Sequence, residues 1–282
     1  MALPLDFDVK EFVQRVLAED LGKGGDVTSN ITIDADARFS AEMNCRQAIV
    51  VAGLDLAAEF FRALDPEVTV EMPVDDGDRA EHGTTIMRLA GSARAMLTAE
   101  RSALNTLQHL SGIATLTRRY VDAIDGTGAV LIDTRKTIPG LRVLEKYAVR
   151  MGGAQNHRMR LDDGVLIKDN HVAVCGGVGE AVRRAKAANT GLQVQIEVDR
   201  IDQIERALAA GADRLLLDNM DPAMLREAVT LVGGRVPLEA SGGVTLETIR
   251  FLAETGVDFI SLGRITQSAP AVDIGLDYAL SR

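Results

Sequence analysis

The sequence predicts an α/β fold, in which an amino-terminal α+β region precedes about six strand–helix units. From residue 98 onward, short apolar runs alternate with amphipathic segments at intervals of about 20–35 residues, a rhythm typical of parallel βαβ units. Before residue 97, the side chains alternate between apolar and polar, as in strands with one buried face. A chain of 282 residues is long enough for a barrel with a smaller companion domain.

Six apolar runs are the strand candidates of the α/β region. They centre on Leu131, Leu166, Ile196, Leu216, Leu238 and Ile260. Six units are fewer than the eight of a complete (β/α)₈ barrel.

The amino-terminal region reads as an α+β sandwich. A helix is predicted where apolar residues recur at spacings of three and four from Val9 to Leu17. Alternation from Phe39 to Cys45 predicts a strand, and the run Ile49–Gly53 predicts its partner. The remaining predicted elements are a helix at 54–64, strands at 68–72 and 84–89, and a long helix at 97–124. We therefore expect a sandwich domain at 1–97, joined by the tail 270–282, and a barrel domain at 98–269.

Composition excludes several classes of protein. No apolar run approaches the ~18 residues of a membrane span, which predicts a cytoplasmic enzyme. A net charge of -10 argues against nucleic acid as a partner. The two cysteines, Cys45 and Cys175, lie too far apart in sequence for a metal-binding cluster.

Positive charge is nevertheless concentrated in one segment. Between Asp133 and His171 there are eight Lys or Arg residues against five Asp or Glu residues. The cations follow the apolar runs, so a local anion-binding pocket is predicted where strands end. Lys168 closes one such run, and we expect its charge to need an anionic partner.

Three linked motifs in this segment carry a family resemblance. They are DTRKTIPG at 133–140, GGAQNHR at 152–158 and KDNH at 168–171. Together they resemble the signature of the quinolinate phosphoribosyltransferases, and EDLGKGGDVTS at 19–29 is similar to the amino-terminal pattern of that family. The resemblance implies an incomplete, six-stranded α/β barrel. It also implies an enzyme that converts quinolinate and 5-phosphoribosyl 1-pyrophosphate into nicotinate mononucleotide, pyrophosphate and CO₂.

Active sites of parallel barrels lie at the carboxyl ends of the strands, so those ends supply the candidate site. In chain order they contribute Thr134, Arg135 and Lys136; Lys168, with His157 and Arg158 upstream; Glu197; Asp218; Ser241, Gly242 and Gly243; and Leu262, Gly263 and Arg264. The role of His171 stays open.

Each group of these residues suits one chemical need. Arg, Lys and His side chains suit a small dicarboxylate. Glu197 and Asp218 are predicted to hold Mg²⁺, which takes oxygen ligands and bridges to substrate phosphates, although Asp199 and Glu239 are rival carboxylates. Glycines after strands let backbone N–H groups approach phosphate at a helix amino terminus.

The predicted catalytic residues are Lys136, Lys168, Glu197 and Asp218. The resemblance further implies that Arg101, in TAERSALN at 98–105, reaches the substrate of a neighbouring subunit, which requires a homodimer. The sequence does not decide between a dimer and a hexamer.

Three other functions stay open. The chain could be a related phosphoribosyltransferase with another ring-acid substrate, a barrel lyase that forms a Schiff base through Lys136 or Lys168, or an inactive regulatory protein with the same fold.

Overall fold

The computed structural model describes residues 7–278. Residues 1–6 of the predicted sandwich domain and residues 279–282 of the predicted tail lie outside the described residues. In chain order the first elements are α1 (Val9–Leu21), α2 (Val27–Thr32), β1 (Arg38–Cys45), β2 (Ile49–Val50), α3 (Leu54–Leu64), β3 (Thr69–Glu71), β4 (Arg79–Ala80), β5 (Thr85–Ser92) and α4 (Ala93–Ala123). Then follow β6 (Val130–Ile132), α5 (Arg142–Met151), β7 (Val165–Ile167), α6 (Asp169–Cys175), α7 (Val178–Ala187), β8 (Val194–Val198), α8 (Ile201–Ala209), β9 (Arg214–Asp218), α9 (Pro222–Val232), β10 (Leu238–Ser241), α10 (Ile249–Ala253), β11 (Phe259–Ser261), α11 (Arg264–Gln267) and β12 (Ile274–Tyr278). None of these helices is long and apolar enough to cross a membrane.

The chain forms two compact units. The first contains the described residues up to Thr117, Val143–Gly153 and the described residues from Ala269 onward; the second contains Arg118–Arg142 and Ala154–Ser268. The sequence had placed the division at 97/98 and 269/270, so most of α4 and nearly all of α5 lie in a different unit from the one expected. Which segments act as functional domains remains a prediction.

The first unit is built on an antiparallel sheet, as the alternating pattern predicts. Among the described residues this sheet has the strand order β12-β1-β5-β3. Ala41, Met43 and Cys45 of β1 are buried, which confirms the buried face predicted for that strand. The tail returns to this unit, because β12 pairs antiparallel with β1 from Ala41–Tyr278 to Cys45–Ile274.

One predicted pairing in the first unit is wrong. The run that begins at Ile49 does not pair with β1: β2 pairs with β4, with Ile49 opposite Ala80, in a separate two-stranded sheet among the described residues. Apolar patterning identifies a strand but not its neighbour, and β1 already has β5 and β12 on its two edges.

Glycines allow the helices of the first unit to approach other backbone closely. A side chain at Gly152, directly after α5, would place its Cβ 2.6 Å from the carbonyl oxygen of Ala114 in α4. At Gly112, midway along α4, a Cβ would overlap the backbone of Pro270. These contacts explain why both helices pack in this unit.

The second unit contains the predicted parallel sheet. All six strand candidates are strands, and within the described residues their order is β6-β11-β10-β9-β8-β7 with parallel pairing throughout. β6 and β7 are the two edges and do not pair with each other, so the barrel is incomplete. Their carboxyl ends share one rim of the sheet.

Candidate functional site

A cavity of about 310 Å³ lies at the carboxyl ends of the parallel strands in the second unit. Its size is near the lower end of the ~300–1,000 Å³ that small-molecule sites occupy. Its lining residues are Thr134, Arg135, Lys136, His157, Arg158, Leu166, Lys168, Glu197, Leu216, Asp218, Glu239, Ser241 and Ser261. Nine of the fifteen residues predicted from the sequence therefore line one cavity.

His157 and Arg158 reach the cavity although they precede β7 by several residues. The segment that carries them runs beside the free edge of β6, where Gln155 accepts a hydrogen bond from the backbone N–H of Asp133 at 3.1 Å. The buried carboxylate of Asp133 accepts further hydrogen bonds from the backbone N–H of His157 at 2.8 Å and from the side-chain amide of Asn156 at 2.6 Å. Asp133 therefore fixes the GGAQNHR segment against the strand end that supplies Arg135.

Two arginines in the cavity, Arg135 and Arg158, repel each other, and one of them has a buried N–H group without a hydrogen-bond partner in the part of the chain that the structure describes. The buried Nε of Arg135 has no hydrogen-bond partner among the described residues. The pKa of Arg158 is lowered, first by burial and then by the positive charge of Arg135. A buried donor without a partner and two mutually repelling cations are both costly. An anionic ligand would relieve both costs.

Glu197 and Asp218 lie in the same cavity, and the pKa of each carboxyl is raised above its ordinary value. The pKa of Glu197 is raised by burial and by the negative charges of Asp218 and Asp169. Burial also raises the pKa of Asp218, with a further contribution from Asp169, although the hydrogen bond from Asn219 at 2.7 Å opposes this shift. The positive charge of Lys168 lowers both pKa values in part, and Lys136 also lowers that of Asp218. Two partly buried carboxylates with raised pKa values fit a divalent cation between them. No cluster of three or more His, Cys, Asp or Glu side chains suited to a metal occurs among residues 7–278.

The two rival carboxylates, Asp199 and Glu239, differ in their surroundings. Asp199 is exposed and lies 3.6 Å from Arg200, away from the lining of the cavity. Glu239 lines the cavity but is fully buried, and Arg214 lies 2.7 Å from it. Glu197 and Asp218 are therefore the carboxylates open to a ligand.

Lys136 and Lys168 both line the cavity with exposed side chains. The expectation that Lys168 is buried and needs an anionic partner is therefore wrong. The backbone N–H of Lys168 donates to Nδ1 of His171 at 3.0 Å, which assigns His171 the structural role of holding the start of α6. Lys136 is also exposed, and its carbonyl oxygen accepts a hydrogen bond from Thr266 at 2.7 Å.

The glycine positions and their neighbours lie beside the cavity lining. Gly242 is exposed with a φ of 95°, and a Cβ there would overlap the side chain of Asn219, so the backbone turn requires glycine. The expected helix amino terminus does not follow Gly243, since α10 begins only at Ile249. Gly263 directly precedes α11, and a Cβ there would lie 2.7 Å from Cδ of Lys136.

Three remaining predicted residues are not among those that line the cavity. Leu262 is buried, and its backbone N–H donates to the carbonyl oxygen of Ile132 at 3.0 Å. Arg264 is exposed and interacts with Tyr120. Arg101 is an exposed residue of α4 in the first unit.

Comparison with known proteins gives consistent matches over nearly the whole chain. The family models described as the quinolinate phosphoribosyl transferase N-terminal and C-terminal domains match residues 26–111 and 113–277. The probable nicotinate-nucleotide pyrophosphorylase (carboxylating) of Bacillus subtilis is 42% identical over 97% of this chain and 94% of its own length. The nicotinate-nucleotide pyrophosphorylase (carboxylating) of Mycobacterium leprae is 43% identical over 96% of this chain and 98% of its own.

A solved structure shows the same fold. The crystal structure of nicotinate-nucleotide pyrophosphorylase from Ehrlichia chaffeensis superposes with a TM-score of 0.93 at 40% identity, covering 98% of this chain and 100% of that one. Both compact units of the present chain therefore have counterparts in that structure.

Proposed function

The chain belongs to the quinolinate phosphoribosyltransferase family, and we propose that the cavity at the carboxyl ends of its parallel strands is the active site. The enzyme transfers the phosphoribosyl group of 5-phosphoribosyl 1-pyrophosphate to quinolinate and releases pyrophosphate and CO₂, a step of de novo NAD biosynthesis. The observation that carries the site proposal is the pair of opposed arginines, Arg135 and Arg158, whose charges are only partly compensated by the protein.

The cationic side of the cavity suits the two carboxylates of quinolinate. Guanidinium groups bind carboxylates through paired hydrogen bonds, and Lys168 adds a flexible point charge at the mouth. Arg135 and Arg158 would hold the dianion, with His157 and Thr134 completing the wall. A ligand with two negative charges removes more of the arginine–arginine repulsion than a ligand with one, so the site favours quinolinate over nicotinate.

The carboxylate side suits Mg²⁺ and the phosphoribosyl donor. Glu197 and Asp218 supply the oxygen ligands that Mg²⁺ prefers, and a bound cation would stabilise their ionised forms. When bound, the metal would neutralise pyrophosphate oxygens and orient the sugar. The backbone at Ser241–Gly243 and at Leu262–Arg264 flanks this side and is our proposed contact for the phosphates.

Catalysis rests mainly on positioning charged groups. The anomeric carbon becomes oxocarbenium-like as pyrophosphate leaves, so the ring nitrogen of quinolinate must already face it. The arginines that hold the carboxylates fix that orientation, and Lys136 lies where it can meet the negative charge that develops on the leaving pyrophosphate, or lie near the carboxylate that is lost as CO₂. The ring nitrogen is cationic after ribosylation and stabilises the carbanion formed when CO₂ leaves.

We also propose a homodimer in which Arg101 contributes to the neighbouring active site. Arg101 is exposed on α4, so its guanidinium is accessible to a second copy of the chain. Complementation between inactive variants tests this idea. A mixture of Arg101→Ala and Lys168→Ala chains, unfolded and refolded together, would regain activity because one site of each heterodimer is intact. No regain in a mixture shown to contain heterodimers would contradict it. Mass determination by light scattering would distinguish a dimer from a hexamer.

Substrate and location have direct tests. Initial rates with quinolinate and with nicotinate, each with 5-phosphoribosyl 1-pyrophosphate and Mg²⁺, separate the proposed substrate from another ring acid. Lysines that form Schiff bases are usually desolvated, but Lys136 and Lys168 are both exposed. We therefore expect borohydride with a carbonyl substrate to trap no covalent adduct. A cytoplasmic location stays a proposal, which fractionation of the source cells would test.

A further inference from the structure

A buried polar network lies beneath the cationic side of the cavity. Its centre is Glu239 of β10, which has no exposed surface. Nη2 of Arg214 lies 2.7 Å from Oε2 of Glu239, and the same oxygen accepts a hydrogen bond from Nε2 of Gln195 at 2.7 Å. Oε1 of Gln195 lies 3.0 Å from Nε2 of His157, and Oε2 of Glu239 lies 3.6 Å from the same nitrogen. Nδ1 of His157 in turn accepts the backbone N–H of Arg158 at 2.7 Å.

The polarity of this network follows from Glu239. An ionised carboxylate only accepts hydrogen bonds, and the pKa of Glu239 is lowered by His157 and by Arg214 against the opposing effect of burial. Gln195 must therefore present its NH₂ group to Glu239 and its carbonyl oxygen to His157. That oxygen requires a proton on Nε2 of His157, which leaves the lone pair of Nδ1 for the backbone N–H of Arg158. One carboxylate thus determines the tautomer of the histidine and a contact of the arginine.

Arg158 needs such an anchor, because there is open space on both sides of it. A second cavity, of about 400 Å³, lies on the other side of His157 and Arg158 in the same unit and is lined also by Gln195 and Arg214. One hydrogen bond from Nη1 of Arg158 to the carbonyl oxygen of Gly164, at 2.8 Å, fixes the guanidinium. Repulsion from Arg135 favours movement away from the substrate cavity. A fixed backbone at Arg158 opposes that movement.

Stability alone is a poor reason for this buried charge pair. Removing two charges from water costs free energy that their attraction only partly returns, and apolar side chains of similar volume are often at least as stable. The guanidinium of Arg214 is also stacked 3.9 Å from the ring centroid of Phe259, which holds the pair in one geometry. Among the described residues Nη2 of Arg214 and Oε1 of Glu239 also make no hydrogen bond, so the pair is better explained by the group it orients.

We propose that Glu239 and Arg214 are positioning residues. Glu239 acts through Gln195, and through its own carboxylate 3.6 Å from Nε2 of His157, to hold His157 in its Nε2–H tautomer and thereby aim Arg158 at a carboxylate of the substrate. This proposal rests on the assignment of the cavity as the quinolinate site. The contacts of the network itself stand independently of that assignment.

The tautomer is measurable in the unmodified enzyme. Long-range ¹H–¹⁵N correlation spectra of ¹⁵N-histidine-labelled protein distinguish the tautomers, and comparison with His157→Gln identifies the signals of His157 among the four histidines. We expect His157 to be neutral and protonated on Nε2 near pH 7. Protonation on Nδ1 instead would overturn the proposal without any functional assay.

The variant Glu239→Gln tests the connection to substrate binding. A glutamine can donate, so Gln195 can reverse and release the tautomer. We expect mixed His157 tautomers and a KM for quinolinate raised at least about tenfold, the order of one lost charge-assisted hydrogen bond, with the KM for 5-phosphoribosyl 1-pyrophosphate changed less than about twofold. Glu205→Gln is the matched control, because it removes the same charge from an exposed Glu–Arg pair, with Arg235 at 2.5 Å.

The remaining outcomes separate the possible failures. If Glu239→Gln does not fold, Gln195→Met removes the acceptor at 3.0 Å and leaves Nε2 of His157 only the longer approach, 3.6 Å, to Oε2 of Glu239. The same spectra and KM values should then change in the same direction but by less. Changed tautomers with an unchanged KM for quinolinate would refute the positioning role. If quinolinate bound to the wild-type enzyme leaves the His157 signals and those of its neighbours unmoved, the site assignment fails instead, while the tautomer result still stands.

Discussion

Replacing Arg135 with methionine should separate binding from stability. Methionine keeps an apolar stem of similar length but removes the guanidinium, so no large void is left in the wall of the cavity. In the free protein the substitution also removes a buried Nε without a partner and the repulsion that lowers the pKa of Arg158. An unsatisfied buried donor costs about 1–3 kcal/mol. We therefore expect the free energy of unfolding of the variant to equal or exceed that of the wild type.

Binding should change in the opposite direction. A bidentate guanidinium–carboxylate pair contains two charge-assisted hydrogen bonds of about 1.5–3 kcal/mol each. Loss of both corresponds to ~3–6 kcal/mol, or at least about a hundredfold increase in the Kd for quinolinate.

Calorimetric titration with quinolinate and urea unfolding of the free protein measure the two quantities. Arg183→Met is the control, since Arg183 is exposed and paired with Glu180 on α7 at 2.9 Å. A variant that binds quinolinate as the wild type does, or that loses stability together with affinity, would refute the reasoning.

Three further predictions concern the lysine, the carboxylates and the helix contact. Lys168→Ala should reduce turnover to background while leaving the circular dichroism spectrum and Tm unchanged, because Lys168 is exposed; full activity would contradict its catalytic role. Glu197→Gln should abolish Mg²⁺-dependent turnover without lowering Tm at pH 7. The folded state raises the pKa of Glu197, so the wild type loses stability as pH rises from the ordinary value of 4.5 through the raised one, and the advantage of the variant should disappear below that window in thermal scans across pH. Gly152→Ala should lower the free energy of unfolding by roughly 1–3 kcal/mol in urea titrations, because its Cβ would lie 2.6 Å from the carbonyl oxygen of Ala114; an unchanged midpoint would show that α4 and α5 can separate without cost.

The sequence predicts the parallel sheet well because each strand carries its own signal. Runs such as Val130–Ile132 and Val165–Ile167 are apolar, short and followed at once by charged residues, so both the strand and its functional end can be read locally. The rule that parallel strands share one catalytic rim then brings Arg135, Glu197 and Asp218 together without any knowledge of tertiary contacts.

A local sequence pattern does not identify the helix or strand that packs against it. An apolar stripe along α4 or α5 shows that a face is buried but not which unit buries it, and that choice depends on close approaches at Gly112 and Gly152. The same limit explains the pairing of β2 with β4, which no local pattern distinguishes from pairing with β1. Gly242 and Gly243 illustrate it at the site, because a glycine pair predicts a turn but does not reveal that the next helix begins only at Ile249.

The role of Glu239 could not be read from the sequence for a different reason. Within the buried run of β10, a carboxylate looks either like a metal ligand or like a misplaced surface residue, and only the distances to Arg214 and Gln195 distinguish a third role. Its position explains how a cavity with mutually repelling arginines can be rigid before substrate arrives. In the proposed network, hydrogen-bond polarity carried from a buried anion to the backbone of Arg158 would hold one cation in place across the cavity from Glu197 and Asp218. On the proposed assignment, a dianion at the arginines and a metal-bound donor at the carboxylates would bring opposite charge to both sets, adding to the effect that Lys168 already has on Glu197 and Asp218.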